Sequence, residues 1–146
     1  MMHARGHVSL CAVSTKTYDQ LYGIQLHFTE EISSKMFETA IGSYTEKNRT
    51  DIDMKKRINK ICLRLSDKKS GRRIWGIRFV DENGKKVMSH SWNKAGEWVS
   101  QVLDPDEEII GIYGRLSEGP GIRSLGFIVW RRTDWSINPV VDSFGK

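Results

Sequence analysis

Apolar and polar residues alternate from Ile58 to the end of the chain, in short runs broken every few residues by turn-forming side chains, and no helical period survives there. Successive side chains of a strand point to opposite faces, so a period of two commits a segment to half-buried β-structure. Ile61, Leu63 and Leu65 place three aliphatic groups on one side of a strand, with Cys62 and Arg64 between them. Trp75, Ile77 and Phe79 repeat the pattern. The intervening Asp67-Lys68-Lys69-Ser70-Gly71 and the following Asp81-Glu82-Asn83-Gly84 are turns, the second being the sharper signal because Asn-Gly accepts the positive φ of a tight hairpin. Trp98–Leu103 and Ile109–Gly114 read as further strands around Asp104-Pro105-Asp106-Glu107, where proline fixes φ. Ile122–Arg132 is apolar on both faces, with Leu125, Phe127 and Val129 on one and Ile128 and Trp130 on the other, as expected of a strand covered on both sides.

The first third is less uniform. Val8–Val13 and Leu21–Phe28 read as strands, whereas Thr29–Gly42 predicts a helix. Thr29 can cap it, Glu30 and Glu31 suit its positive start, Ile32, Met36 and Ala40 share a face at i, i+4 and i+8, and Gly42 can end it. The polar stretch 43–56 then reads as a connector. At 146 residues the chain has room for one domain and an arm, which divides it into an arm, 1–56, and a β domain, 57–146.

Chemistry is sparse. His3, His7, His27 and His90 lack metal-ligand spacing, Cys11 and Cys62 are far apart, and the acidic Asp104–Glu108 turn lacks the alternate ligands of a calcium loop. No phosphate-binding glycine loop precedes a helix. The expectation is a protein without catalytic residues, metal or cofactor. Two cysteines are too few for a disulfide framework, and no apolar run approaches the ~20 residues of a membrane helix. The sequence therefore predicts two free thiols and a cytoplasmic setting without a membrane span. A net charge of +5 invites an acidic partner. Its doublets, such as Lys68-Lys69, Arg72-Arg73 and Lys85-Lys86, flank strands and alternate with acids, which suits solvated strand ends and argues against nucleic acid.

The segment Leu103-Asp104-Pro105-Asp106-Glu107-Glu108-Ile109-Ile110-Gly111-Ile112-Tyr113-Gly114, followed by Gly121-Ile122-Arg123-Ser124-Leu125-Gly126-Phe127, resembles the jacalin-related lectins. That family pairs a proline-containing acidic turn, a strand ending in glycine and a strand of the form Ile-x-Ser-Leu-x-Phe; Ile58–Leu65 and Trp75–Val87 resemble its earlier hairpin. The resemblance implies a mainly β fold, a jacalin-like β-prism of antiparallel strands, here with an N-terminal arm containing one short helix. It also implies, in many relatives, a sugar site in the loops at one end. The family's Gly-x-x-x-Asp loop is missing, since Arg131-Arg132 is followed by Thr133-Asp134-Trp135-Ser136.

Two functions follow. One is a protein-interaction or structural module within a larger assembly, docking through Ile32, Met36 and Ala40. The other is a carbohydrate-binding lectin in which Asp134 and Trp135, or Trp92 with Asn93, provide the polar group and the aromatic ring that sugars require.

Overall fold

The computed structural model describes residues 8–17, 20–30, 33–42, 48–66, 73–91, 95–116 and 121–131 in full and 136–141 as backbone. These residues form eleven strands: β1 (Val8–Thr17), β2 (Leu21–Glu30), β3 (Met36–Gly42), β4 (Asn48–Asp51), β5 (Ile58–Leu65), β6 (Ile74–Asp81), β7 (Lys86–Ser91), β8 (Glu97–Val102), β9 (Glu107–Leu116), β10 (Ile122–Arg131) and β11 (Ser136–Val141). No helix occurs among them.

The strands make three antiparallel sheets in the orders β3-β2-β1-β4, β7-β6-β5-β8 and β11-β10-β9. In the first two, three consecutive strands are joined by hairpins and the fourth returns beside the first, which is a Greek key. The third sheet repeats the first three strands of that pattern. Each sheet turns one face inward, and the inward residues form a single cluster. Val13, Leu26 and Phe28 of the first sheet, Leu63 and Phe79 of the second, and Phe127 of the third all belong to it. Phe79 and Phe127 meet edge to face, 5.8 Å between centroids at 75°, in the favoured geometry for two quadrupolar rings.

The predicted alternation is realised in β5, where Ile61, Leu63 and Leu65 are buried, and in β10, where Leu125, Phe127 and Val129 are. Trp75 and Trp130 are only half-buried. In β6 the register shifts between Leu65↔Ile74 and Arg64↔Gly76, so that Ile74 fills the core with Ile77 and Phe79. The Asp81–Lys85 hairpin needs positive φ at Gly84 alone (81°). The Asp81 carboxylate accepts backbone N–H bonds from Lys85 and Asn83 at 2.9 and 2.8 Å. Those bonds, the Lys85 one foremost and aided by the charge of Lys56, hold its pKa below the ordinary carboxylate value although burial opposes them.

The helix expected over Thr29–Gly42 is replaced by a hairpin. β2 runs through Glu30; the Glu30 N–H donates to the Lys35 carbonyl (2.9 Å), the Ser34 N–H donates to Glu30 (2.8 Å), and Ser34 takes φ 58°. β3 then pairs along β2 from Thr29↔Met36 to Gly23↔Gly42. A spacing of four residues is even, so Met36 and Ala40 share a strand face as readily as a helix face. Phe37, Thr39 and Ile41, which lie between and beside them, favour strands. A lone helix of this length is marginal in water, while an adjacent strand offers a full ladder. Part of the polar connector is also strand, because Asn48–Asp51 pairs with β1.

Gly42 closes β3 rather than a helix. Its φ is 80°, and a Cβ there would collide with the carbonyl oxygen of Tyr22. Gly42→Ala is therefore expected to destabilise the fold by about 2 kcal/mol or more, measured by urea denaturation, while Gly84→Ala, whose Cβ would meet nothing within 4 Å, should lose only the cost of its positive φ.

Candidate functional site

Three polar constellations stand out, two of which close on themselves. On the outward face of the first sheet, the Ser14 hydroxyl lies 2.8 Å from Nε2 of His27, and His27 Nδ1 lies 3.4 Å from Oε1 of Glu38. His27 pairs with Glu38 across β2 and β3, and Ser14 of β1, opposite Gln25, lies diagonally beside His27 on the same face. The order Ser–His–Glu has the connectivity of a hydrolytic triad. Ser14 is only 2% exposed and His27 3%, however, so no substrate carbonyl can reach the hydroxyl. The array holds three strands together.

His90, in β7, joins the first and second sheets. Its Nδ1 is 2.6 Å from the Thr15 hydroxyl and its Nε2 is 2.7 Å from that of Thr50. Burial pushes the imidazole pKa below its ordinary value, favouring the neutral ring that can both donate and accept. Cys11 and Cys62 are free, and burial raises both thiol pKa values, which makes them poor nucleophiles.

The third constellation is open. The 52–57 and 103–106 connections come together at the end of the prism where β1, β5 and β9 begin. The Ile52 N–H donates to Cys11 C=O at 2.8 Å, and the Leu103 N–H to Asn59 C=O at 2.7 Å. Arg57 staples the two connections: Nε donates to Pro105 C=O (3.2 Å), Nη1 to Asn59 Oδ1 (3.1 Å), and Nη2 to the carbonyls of Leu103 (3.1 Å) and Asp104. The acidic turn is likewise held from within. Glu107 Oε1 accepts from the Asp104 N–H at 2.7 Å, and Arg131 lies 3.0, 3.1 and 3.3 Å from Asp104, Asp106 and Glu107. The guanidinium takes the position a cation would need. No group of three His, Cys, Asp or Glu side chains among the described residues is arranged to hold a metal.

Between these staples lies a groove of about 300 Å³. Leu10, Ile52, Leu103 and Ile109 give it an apolar wall; Ser9, Lys55, Lys56 and Glu108 give it a polar rim. Its volume is at the lower end of those that hold small ligands, and an apolar wall with a few polar groups is the usual composition of such sites.

Of the residues singled out in the sequence, Met36 and Ala40 lie on β3, 60% exposed and half-buried respectively. Ile32, Trp92, Asn93, Asp134 and Trp135 lie outside the described residues. Their flanks are placed: Arg131, last in β10, pairs with Glu107 beside the groove, whereas Ser91, last in β7, pairs with Gly76 near the start of β6, at the opposite end. The groove itself was not foreseen, because its walls come from three segments some 50 residues apart and no local pattern links them.

No protein-family model matches the chain, and no curated protein does. Among solved structures the chain is similar to a mannose-binding jacalin-related lectin from Ananas comosus, with a TM-score of 0.62 at 12% identity, over 90% of this chain and 88% of that one. The three-sheet architecture and this match show a jacalin-like β-prism fold. The likeness extends well beyond the half of the chain that carries the sequence resemblance.

Two outcomes test this site. Arg57→Ala, which strips four bonds from the end of the prism, should cost about 2 kcal/mol in a denaturant melt. Because the folded pKa of His90 is depressed, its stabilising contribution is complete above the ordinary histidine value of about 6.5 and is lost as pH falls through the lower folded value. The thermal midpoint should thus fall between pH 7 and 5, and fall less in His90→Gln.

Proposed function

We propose that this β-prism is a non-enzymatic carbohydrate-binding module whose sugar site is the groove between the 52–57 and 103–106 connections. The observation that carries the reading is the groove's composition at an end of the prism: an aliphatic wall for the C–H face of a pyranose and a polar rim for its hydroxyls. The fold of a mannose-binding lectin supports it. Arg57 and Arg131 act as positioning residues, since both are spent on holding the walls. Asp134 and Trp135 come three and four residues after Arg131 in the chain and are proposed as further sugar contacts. Trp92 and Asn93 follow Ser91 at the other end and would need a second site.

A protein-binding reading within an intracellular assembly has one observation in its favour. Met36 and Phe37, 60% and 44% exposed, stand on the edge strand β3, where an apolar pair invites a partner. Ala40 shares the face of Met36, and Ile32 precedes it in the chain.

A glycan array separates the two. The chain is expected to bind neutral mannose-type oligosaccharides, and Met54→Ala and Lys55→Ala, both on exposed positions at the groove, should weaken binding about tenfold, ~1.4 kcal/mol each. Trp135→Ala should weaken it too, and Met36→Asp should not. A blank array, together with a partner complex abolished by Met36→Asp, overturns the lectin reading in favour of the protein-binding one.

A further inference from the structure

The outward face of the β7-β6-β5-β8 sheet collects four cations, two of them stacked on one tryptophan. The pairings Ser89↔Arg78↔Cys62↔Ser100 and Ser91↔Gly76↔Arg64↔Trp98 form adjacent rows, and Lys86↔Val80↔Lys60↔Val102 forms the next one out. None of these outward positions is acidic. The first sheet differs, for its outward Arg49 is paired with Asp51 at 3.2 Å and its Glu38 is engaged by Gln25 and His27. Along β5 and across to β6, Lys60, Arg64 and Arg78 spread positive charge over about 13 Å, four residues of strand rise.

The tryptophan gives this charge a fixed shape. The guanidinium carbons of Arg64 and Arg78 lie 4.6 and 4.2 Å from the Trp98 ring centroid. The ring reaches across β5 to Gly76, where a Cβ would come within 3.0 Å of its Cη2 atom, so glycine makes room for it. Stacking holds a guanidinium plane in place while its in-plane N–H groups keep their capacity to grip an oxyanion in bidentate fashion. Arg78 donates Nε to Ser89 Oγ at 3.3 Å, which fixes its rotation further and leaves the Nη edge for a ligand. Of the basic doublets of the sequence, Lys85-Lys86 contributes Lys86 to the outer edge of this face.

We infer that this sheet face is a second ligand surface, separate from the end groove, and that it binds an acidic polysaccharide through sulfate or carboxylate groups spaced along the polymer. A nucleic acid is the weaker fit. Single-stranded binding draws on open aromatic faces for bases, whereas the only aromatic ring in these rows is already engaged by two guanidinium groups. The inference does not rest on the groove reading, because the groove is tested with neutral sugars and this face with charged ones.

The test is calorimetric titration of the full chain with a heparin oligosaccharide at several salt concentrations. Binding is expected, with an affinity that falls steeply with salt, and Lys60→Gln/Arg78→Gln should weaken it at least tenfold and flatten the salt slope. The control removes the same charge elsewhere: Arg115→Gln/Arg123→Gln, exposed on β9 and β10 of the third sheet, should leave affinity within twofold, as should Met54→Ala at the groove. Circular dichroism and thermal melts confirm that each variant is folded, and Arg78→Lys, which keeps charge but loses the planar fork, should recover only part of the affinity. Absence of heparin binding overturns the proposal. So does equal weakening by the Arg115/Arg123 control, which would reduce the effect to net charge. Tighter binding of an oligodeoxynucleotide, lost in the same double variant, would assign the face to nucleic acid and overturn it as well.

Discussion

Three sheets bury one face each against the same core, and this shared burial is the constraint on which the rest of the molecule depends. At ~25 cal/mol per Å² of apolar surface removed from water, no other interaction in the chain approaches it. The Phe79–Phe127 contact joins the second and third sheets, while Val13, Leu26 and Phe28 bring the first into the same cluster. Because every inward position is spent on packing, recognition is left to the outward faces and to the ends where connections cross. Both candidate surfaces obey that rule, one at an end and one on a face.

The same constraint explains what the sequence disclosed. Wherever a strand is half-buried, a period of two is written into it, and β5, β6 and β10 could be read directly from Ile61–Leu65, Ile77–Phe79 and Leu125–Val129. Turns with special backbone demands were equally visible at Asn83-Gly84 and Asp104-Pro105. β3 was misread because Met36 and Ala40, four residues apart, satisfy both periods, and only the neighbouring β2 decides between them. The polar contacts were not visible at all. His90 meets partners 75 and 40 residues away, and Arg57 reaches carbonyls 46 to 48 residues on. Such pairs are created by topology, and the chain carries no local mark of them.

Charge is a further case where position outweighs composition. A net +5 distributed over doublets suggested solvated strand ends. The fold sorts the basic residues differently. Arg57 and Arg131 are consumed in bracing the end of the prism, and Arg49 is paired, whereas Lys60, Arg64 and Arg78, unremarkable in sequence, are gathered on one face by the register of β5 and β6. Burial acts similarly on the catalytic question: a Ser–His–Glu alignment that would invite a hydrolase in a cleft is a structural tie when its serine is closed to solvent.

The most direct test of the proposed sugar site is a titration of the isotopically labelled chain with a mannose oligosaccharide, followed by backbone amide resonances. The account predicts saturable shifts confined to Ser9, Ile52–Ile58 and Leu103–Ile109, around the groove, and to Asp134 and Trp135. Shifts clustered instead near Ser91, Gly96 and Gly121 at the opposite end, or none at saturating sugar, would contradict it.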